Sequence, residues 1–379
     1  MPVLPNIPFH IPYKSIKALD YLHEVLIQNN AASDSYFHQR CKNWFAQNQH
    51  ISNMYLCGSC TDALEFSGLL AGFGPGDEII LPSYTFTSTA NAFLLRGCTL
   101  RFADTSRARP NIELEQILPL INHQTRAIAL IHYAGIAVDM DPILSFAKAH
   151  NILVIEDAAQ CIGARYKGKY LGSIGNLGCI SFHTSKIIHC GEGGALFINQ
   201  KSFASHAELI FEKGTNRKAY KNDETDFYEW KSIGSSYGMS EFQAAVLYAQ
   251  LQGLSDVIIR QLKYWNLYHE NLKELEANGT LLLPDLPDYA QINGSEYYIV
   301  LESELQRNQL QQHLESQGIQ TTTHYRALHR SSFYKNRYKQ QLINTDYFEA
   351  CLLRLPLHFY LTEQDVLQVC KSVIRFIKN

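Results

Sequence analysis

Asn151-Ile152-Leu153-Val154-Ile155-Glu156-Asp157-Ala158-Ala159-Gln160, followed after a turn-rich insert by Ser181-Phe182-His183-Thr184-Ser185-Lys186-Ile187-Ile188-His189-Cys190-Gly191-Glu192-Gly193-Gly194, is the stretch that organises the chain. Ile152 to Ile155 is a short continuous apolar run, the pattern of a strand covered on both faces, and Asp157 falls where that strand emerges. Open α/β sheets bind ligands at that edge. Lys186 lies between the strand-like run Gly178 to Phe182 and the glycine-rich turn Gly191 to Gly194. A lysine there can form a Schiff base, and a carboxylate can face a ring nitrogen. These are the two protein groups that pyridoxal phosphate needs, so Asp157 and Lys186 are read as one site. Each alone is commonplace, because strand-end aspartates also cap helices or bond turns. The remainder of the chain has to carry the weight.

Upstream of Asp157, strand-like and helix-like segments alternate: Glu78 to Leu81 then Ala90 to Arg96, Leu100 to Ala103 then Ile112 to Ile121, Ala127 to His132 then Pro142 to His150. Such alternation implies an α/β fold with a mainly parallel central sheet. Further upstream, the helix Ser15 to Gln28 precedes the strand Asn53 to Leu56, which runs through Cys57-Gly58-Ser59-Cys60-Thr61-Asp62 into a helix, Ala63 to Gly72. A small-residue turn at a helix start presents free N–H groups at the positive end of the helix dipole, with the Ser59 and Thr61 hydroxyls beside them. That is a phosphate cradle. An ordinary capped helix is the alternative. Cys57 and Cys60 also have the spacing of a thiol-disulfide redox pair, a rival function from another class. Gly72 to Gly76 is no dinucleotide fingerprint, since it follows a helix and precedes a strand. Phe86, just past a strand end, is placed to stack on a flat ring.

Downstream come a strand, Ala195 to Ile198, a polar stretch, Lys213 to Asp226, and helices Ser240 to Leu254 and Val257 to Leu275. The expected division is residues 1–254 as a large cofactor-binding domain with the N-terminal segment, and 255–379 as a linker helix with a small α+β domain. In the latter, the strand Tyr297 to Leu301 and the helices Leu305 to Gly318 and Thr362 to Ile377 flank His324 and His329, candidate substrate contacts.

With 379 residues, 46% hydrophobic, the chain can bury a large core. A net charge of −3 and the lack of a basic, aromatic-rich run argue against nucleic acid as a partner. Met1 to Tyr13 carries four prolines and no secretory pattern, and no apolar run is long enough for a bilayer, so a cytoplasmic protein with no membrane partner is expected. Nine scattered cysteines suit a reducing compartment, and no spacing suggests a metal site.

Six motifs in series, Cys60-Thr61-Asp62-Ala63-Leu64, Pro82-Ser83-Tyr84-Thr85-Phe86, His132-Tyr133-Ala134-Gly135, Glu156 to Gln160, Ser181-Phe182-His183 with Lys186, and Gly191-Glu192-Gly193-Gly194, resemble the DegT/DnrJ/EryC1/StrS sugar aminotransferases over nearly the whole chain. The resemblance implies a fold-type I aspartate aminotransferase-like architecture, pyridoxal 5'-phosphate, and homodimers with active sites at the interface. It makes Lys186 the Schiff-base lysine, Asp157 the partner of the pyridine nitrogen, Gln160 the neighbour of the phenolic oxygen and Phe86 the stacking aromatic. Ser59, Cys60, Thr61 and Ser181 become the phosphate-binding positions. Lys213-Gly214-Thr215-Asn216-Arg217 and Gly234-Ser235-Ser236-Tyr237 resemble the dTDP-4-amino-4,6-dideoxygalactose transaminases of surface-polysaccharide pathways. This implies L-glutamate as donor, 2-oxoglutarate as by-product, a nucleotide sugar as acceptor, and Lys213, Asn216 and Arg217 as substrate contacts. A 3-keto or gluco-configured sugar is the alternative. Two positions depart from the family pattern. Ile187 follows the lysine where many members have Asn, and Gly238 stands where many have an Asn reaching the other subunit's cofactor phosphate, leaving Ser235 or Ser236 as replacements.

Overall fold

The computed structural model describes residues 6–27 and 35–378, so Gln28, the expected end of the first helix, and the whole of Met1–Pro5 lie outside the described residues. Five strands, β1 (Met54–Cys57), β2 (Glu78–Pro82), β3 (Thr99–Ala103), β4 (Thr125–Ile131) and β5 (Leu153–Asp157), precede a short hairpin, β6 (Arg165–Tyr166) and β7 (Lys169–Tyr170). Then come β8 (Leu177–Ser181), β9 (Gly194–Ile198), β10 (Ala290–Gln291), β11 (Tyr297–Val300) and β12 (Leu352–Leu355). Seven of these form the main sheet in the order β1-β9-β8-β5-β4-β2-β3, parallel except for β9, which runs antiparallel to both neighbours. The expected mainly parallel sheet is present, and β5 stands at its centre with every residue but Leu153 buried. β2, β8 and β9 are buried throughout, which is why they read as apolar runs without alternation.

Two helices begin earlier than their apolar spacing suggests. One covers Cys60–Leu70, with Ser59 as N-cap accepting from the Asp62 amide at 3.0 Å; the other covers Thr87–Leu94, with Phe86 at its N-cap position. The extra first turns are made of small and polar residues, which periodicity cannot register but a cap can seed. Both N-termini consequently lie at the C-terminal edge of the sheet.

The helix Leu254–Ala277 runs from one core into another. Leu254 and Val257 pack with the central sheet, whereas Tyr264 to Leu275 pack with β11, β12 and the helix Glu363–Lys378. Ile7 joins that second core, and its backbone bonds Gly318 and Gln320 on either side. Among the described residues no helix is long and apolar enough to cross a membrane.

Candidate active site

A cavity of about 760 Å³ lies between the C-terminal edge of the main sheet and the β11–β12 unit. Asp157, Lys186, Ser59, Cys60, Thr61, Phe86, Gln160, Ser181 and His324 all border it. The residues expected to serve the cofactor are thus brought to one place from β5, β8, the Lys186 loop and two helix starts.

Asp157 is buried, and its carboxylate is held rather than free. Oδ2 accepts from the Thr89 hydroxyl at 2.6 Å and Oδ1 from the Ala159 amide at 3.1 Å. Behind it, His132 also borders the cavity. The Val138 amide donates to its Nδ1 at 3.0 Å, so the ring proton sits on Nε2 and is given to Glu156 Oε2 at 3.1 Å. Three further amides, of Gly172, Ile174 and Gly175, hold the fully buried Glu156. The floor under Asp157 is therefore a satisfied network that cannot swing.

Lys186 sits in a loop closed on itself by the bonds from Phe182 N to Gly193 O at 2.8 Å, Cys190 N to Phe182 O at 2.9 Å and Lys186 N to His183 O at 2.9 Å. Ile187 and Ile188, buried in the main core, anchor this loop while Lys186 borders the cavity. Burial is the local role of Ile187 at its departure from the family pattern.

The expected phosphate cradle falls at two helix starts, tied together by a 2.8 Å bond between the hydroxyls of Thr61 and Ser88. Gly194 makes it possible: a Cβ there would stand 2.5 Å from the Ser59 and Cys60 backbone, so the turn can lie directly on β9 only because this residue is glycine. The donor set fits an anion at the mouth of both helices, with a carboxylate and a lysine beyond it, which is the shape pyridoxal phosphate requires. The thiols next to this turn are unsuited to exchange chemistry. Burial pushes both Cys57 and Cys60 well up, with Asp62 and Asp157 respectively adding to it, whereas a redox thiol needs to be lowered.

Gln160 spends its amide inside the protein. Oε1 accepts from the Ala134 amide at 2.7 Å, and Nε2 donates to Glu296 at 2.7 Å and to the Tyr325 hydroxyl at 3.3 Å. Glu296 is also paired with Arg354, whose Nη1 is 2.8 Å from His324 Nδ1 and whose guanidinium lies over the Phe9 ring. His10 borders the cavity from the N-terminal segment and donates Nε2–H to the Thr184 carbonyl at 2.9 Å.

Four residues expected at the substrate lie elsewhere within the chain. Asn216 is buried, bonding the Phe227 carbonyl and the Glu229 amide; Arg217 pairs with Glu212; and Lys213 belongs to the same self-tied loop, outside the cavity lining. His329 is locked between Ser83 Oγ at 2.8 Å and Asp346 at 3.2 Å. Ser235 and Ser236 are exposed, while the Tyr237 carbonyl and Met239 amide extend the edge of β1 beside Gly58. Sequence reasoning assigned no role to Thr89, His10, Ser295, Glu296, Tyr325 and Arg354. Only Arg354 left a trace, a lone charge inside the apolar run Cys351 to Leu357.

The family model for DegT/DnrJ/EryC1/StrS aminotransferases matches residues 17–374. The chain belongs to that family. As an aminotransferase it is similar to GDP-perosamine synthase of Escherichia coli O157:H7, at 28% identity over 98% of this chain and 99% of the relative. It is also similar to GDP-perosamine synthase of Caulobacter vibrioides, at 29% identity over 98% of each. The solved aminotransferase from Psychrobacter cryohalolentis superposes with a TM-score of 0.90 at 26% identity, covering 98% of this chain and all (100%) of that one. The fold is therefore that of the fold-type I aminotransferases, and the aminotransferase uses pyridoxal phosphate, as its donor set fits.

Proposed function

We propose that this sugar aminotransferase moves the amino group of L-glutamate onto a nucleotide-linked keto-deoxysugar. The acceptor is dTDP-4-keto-6-deoxy-D-glucose and the product dTDP-4-amino-4,6-dideoxy-D-galactose, a building block for surface polysaccharide made in the cytoplasm by a homodimer. The observation that carries the reading is that Lys186 and Asp157 border one cavity together with two helix starts joined by the Thr61–Ser88 bond. The cofactor, when bound, carries the amino group between the two substrates. Lys186 Nζ would hold it covalently until the amino donor displaces the lysine, and the freed amine would then move the proton at the reacting carbon. Asp157, kept in place by Thr89 and Ala159, would hold the proton on the ring nitrogen. Ser59, Cys60, Thr61 and Ser181 would take the phosphate, Phe86 would cover the ring, and Gln160 would lie on the side of the phenolic oxygen. Of the expected sugar contacts His324 borders this chain's own cavity, whereas Lys213, Asn216, Arg217 and His329 do not.

The relatives named GDP-perosamine synthase favour a second reading, a GDP-linked acceptor. Product analysis separates the two. Purified protein is given glutamate and each keto sugar, and the aminated product is examined by proton NMR. Small H4 couplings to both H3 and H5 on a dTDP sugar support the first reading. Two large couplings indicate the gluco epimer, an amine at C3 a 3-keto substrate, and turnover of the GDP sugar alone the second reading.

A further inference from the structure

Residues 6–14 run from one side of the cavity to the other. Their first half is fixed to the β11–β12 core: Ile7 bonds Gly318 and Gln320 through its backbone, the Phe9 amide donates to Gln320 Oε1 at 3.1 Å, and His358 Nε2 donates to the Pro8 carbonyl at 3.2 Å. The second half is fixed to the sheet side, where the Tyr13 carbonyl accepts from Gln250 Nε2 and from His189 Nε2, each at 2.8 Å. Between these anchors Phe9 and His10 border the cavity, and the Arg354 guanidinium lies over the Phe9 ring. The segment is a strap pinned at both ends.

Two of its bonds fall on the Lys186 loop, and they bracket the lysine. His10 donates Nε2–H to the Thr184 carbonyl at 2.9 Å, two residues before Lys186, and His189, three residues after it, donates to Tyr13. A carbonyl only accepts, so His10 Nε2 carries the ring proton. Burial, helped by His189, Arg354 and Lys186 and opposed by the Thr184 bond, holds the His10 pKa below its ordinary 6.5. At neutral pH the ring is therefore an uncharged donor and adds no second cation beside the lysine. Bonds within the loop, such as Thr184 N to Gly191 O at 2.9 Å, fix its shape. Bonds to the strap fix where that shape stands. Placement matters because an error of about 1 Å at a reacting group can cost about a hundredfold in rate.

We propose that His10 is a positioning residue for Lys186: through the Thr184 carbonyl, the N-terminal strap sets where the lysine stands in the cavity. The proposal rests on the reading of Lys186 as the lysine that holds the cofactor. It adds to that reading a group 174 residues away from Thr184 in the chain.

The test compares the parent holoenzyme with His10→Leu, which removes the donor, and His10→Gln, whose side-chain amide restores an N–H at similar reach. Four quantities are measured: the rate at which L-glutamate bleaches the visible cofactor band, the glutamate concentration that half-saturates this rate, hydrogen–deuterium exchange of the peptide spanning residues 183–193 with and without cofactor, and thermal unfolding. His10→Leu is expected to slow bleaching by about ten- to a hundredfold and to speed exchange of the loop peptide by about five- to tenfold. The half-saturating glutamate concentration should stay within about threefold of the parent, and His10→Gln should bring rate and exchange back to about the same margin. If His10→Leu does not accumulate as folded protein, His10→Asn, whose shorter side chain stops short of Thr184, carries the same expectation. Slower bleaching in both variants with unchanged loop exchange would make His10 a group that meets the substrate itself, which overturns the proposal. A lower melting temperature with unchanged bleaching and loop exchange would make the strap merely structural, which also overturns it. A parent with no band that glutamate bleaches defeats the reading of Lys186, and the proposal falls with it. A parent that bleaches, matched by His10→Leu in rate and exchange, defeats the positioning role alone.

Discussion

The two sides of the cavity were made by different means. The sheet side is local: β5 delivers Asp157, a self-closed loop delivers Lys186, and two helix starts supply free N–H groups within a few residues of a strand end. Its polar atoms are satisfied within that side, even though Thr89 comes to Asp157 from 68 residues away, so it is pre-shaped for a cofactor common to many reactions. The other side is assembled over long range, with Arg354 placed opposite Tyr298 by the pairing of β11 with β12 and bonded to Glu296 and His324. Its polar groups are paired across long stretches of sequence, Glu296 with Gln160 and with Arg354. The two sides of the cavity are thus built from separable elements of the molecule.

The sharpest way to break that division is Lys186→Ala. Turnover should fall by at least about ten-thousandfold, the combined loss of a nucleophile and a proton carrier, while melting behaviour stays near that of the parent. Undiminished steady-state transamination would remove Lys186 from the mechanism.

Asp157→Asn tests the other half of the same side. The shape and both hydrogen-bond positions remain, but the charge is gone, so glutamate-driven bleaching should slow by at least about a hundredfold. A collapse in thermal stability, with a normal rate in the protein that survives, would identify a structural aspartate instead.

The cradle should respond more mildly. Thr61→Val removes the hydroxyl bonded to Ser88 and should weaken cofactor affinity by about five- to tenfold, one hydrogen bond's worth. Cys57→Ala and Cys60→Ala should each retain most activity, because the turn offers backbone groups. Complete inactivation by loss of either thiol, unrelieved by added cofactor, would return the redox reading to contention.

The smallest effect concerns pH. Burial, with the nearby charges of Arg354 and Lys186, holds the His324 pKa down to about 4 against an ordinary value of 6.5. The unfolded chain takes up this proton near pH 6.5 and the folded chain only near 4. Between those values the unfolded state binds more protons, and stability must fall as pH falls. Above about pH 7.5 the contribution is flat. His324→Asn should flatten the decline in melting temperature between pH 7 and 5, and a variant with an unaltered decline would show that the neutral ring is not the cause.

The same division explains what could be read from the chain. Asp157, Lys186, Thr61 and the sheet itself were legible because strand, turn and helix start leave short-range marks in residue type and spacing. Thr89 was not, because it reaches Asp157 across 68 residues through helix packing. Neither was the bond from Gln160 to Glu296, 136 residues away. Long-range partners have no spacing to read. The loop of Lys213, Asn216 and Arg217 is a different case: its polarity suggested ligand contacts, and within the chain Asn216 and Arg217 hold the loop's own backbone and Glu212, away from the cavity.

The central claim is that Lys186 and Asp157 form a single pyridoxal phosphate site, and reduction with borohydride tests it most directly. Purified protein should show a visible absorption band that borohydride bleaches, and peptide mass spectrometry should then find one reduced cofactor on the peptide containing Lys186. In Asp157→Asn the label should stay on Lys186 while the absorption band shifts, since the carboxylate that holds the ring proton is gone. A protein with no visible band after incubation with the cofactor, or with the label on another lysine, would contradict the account.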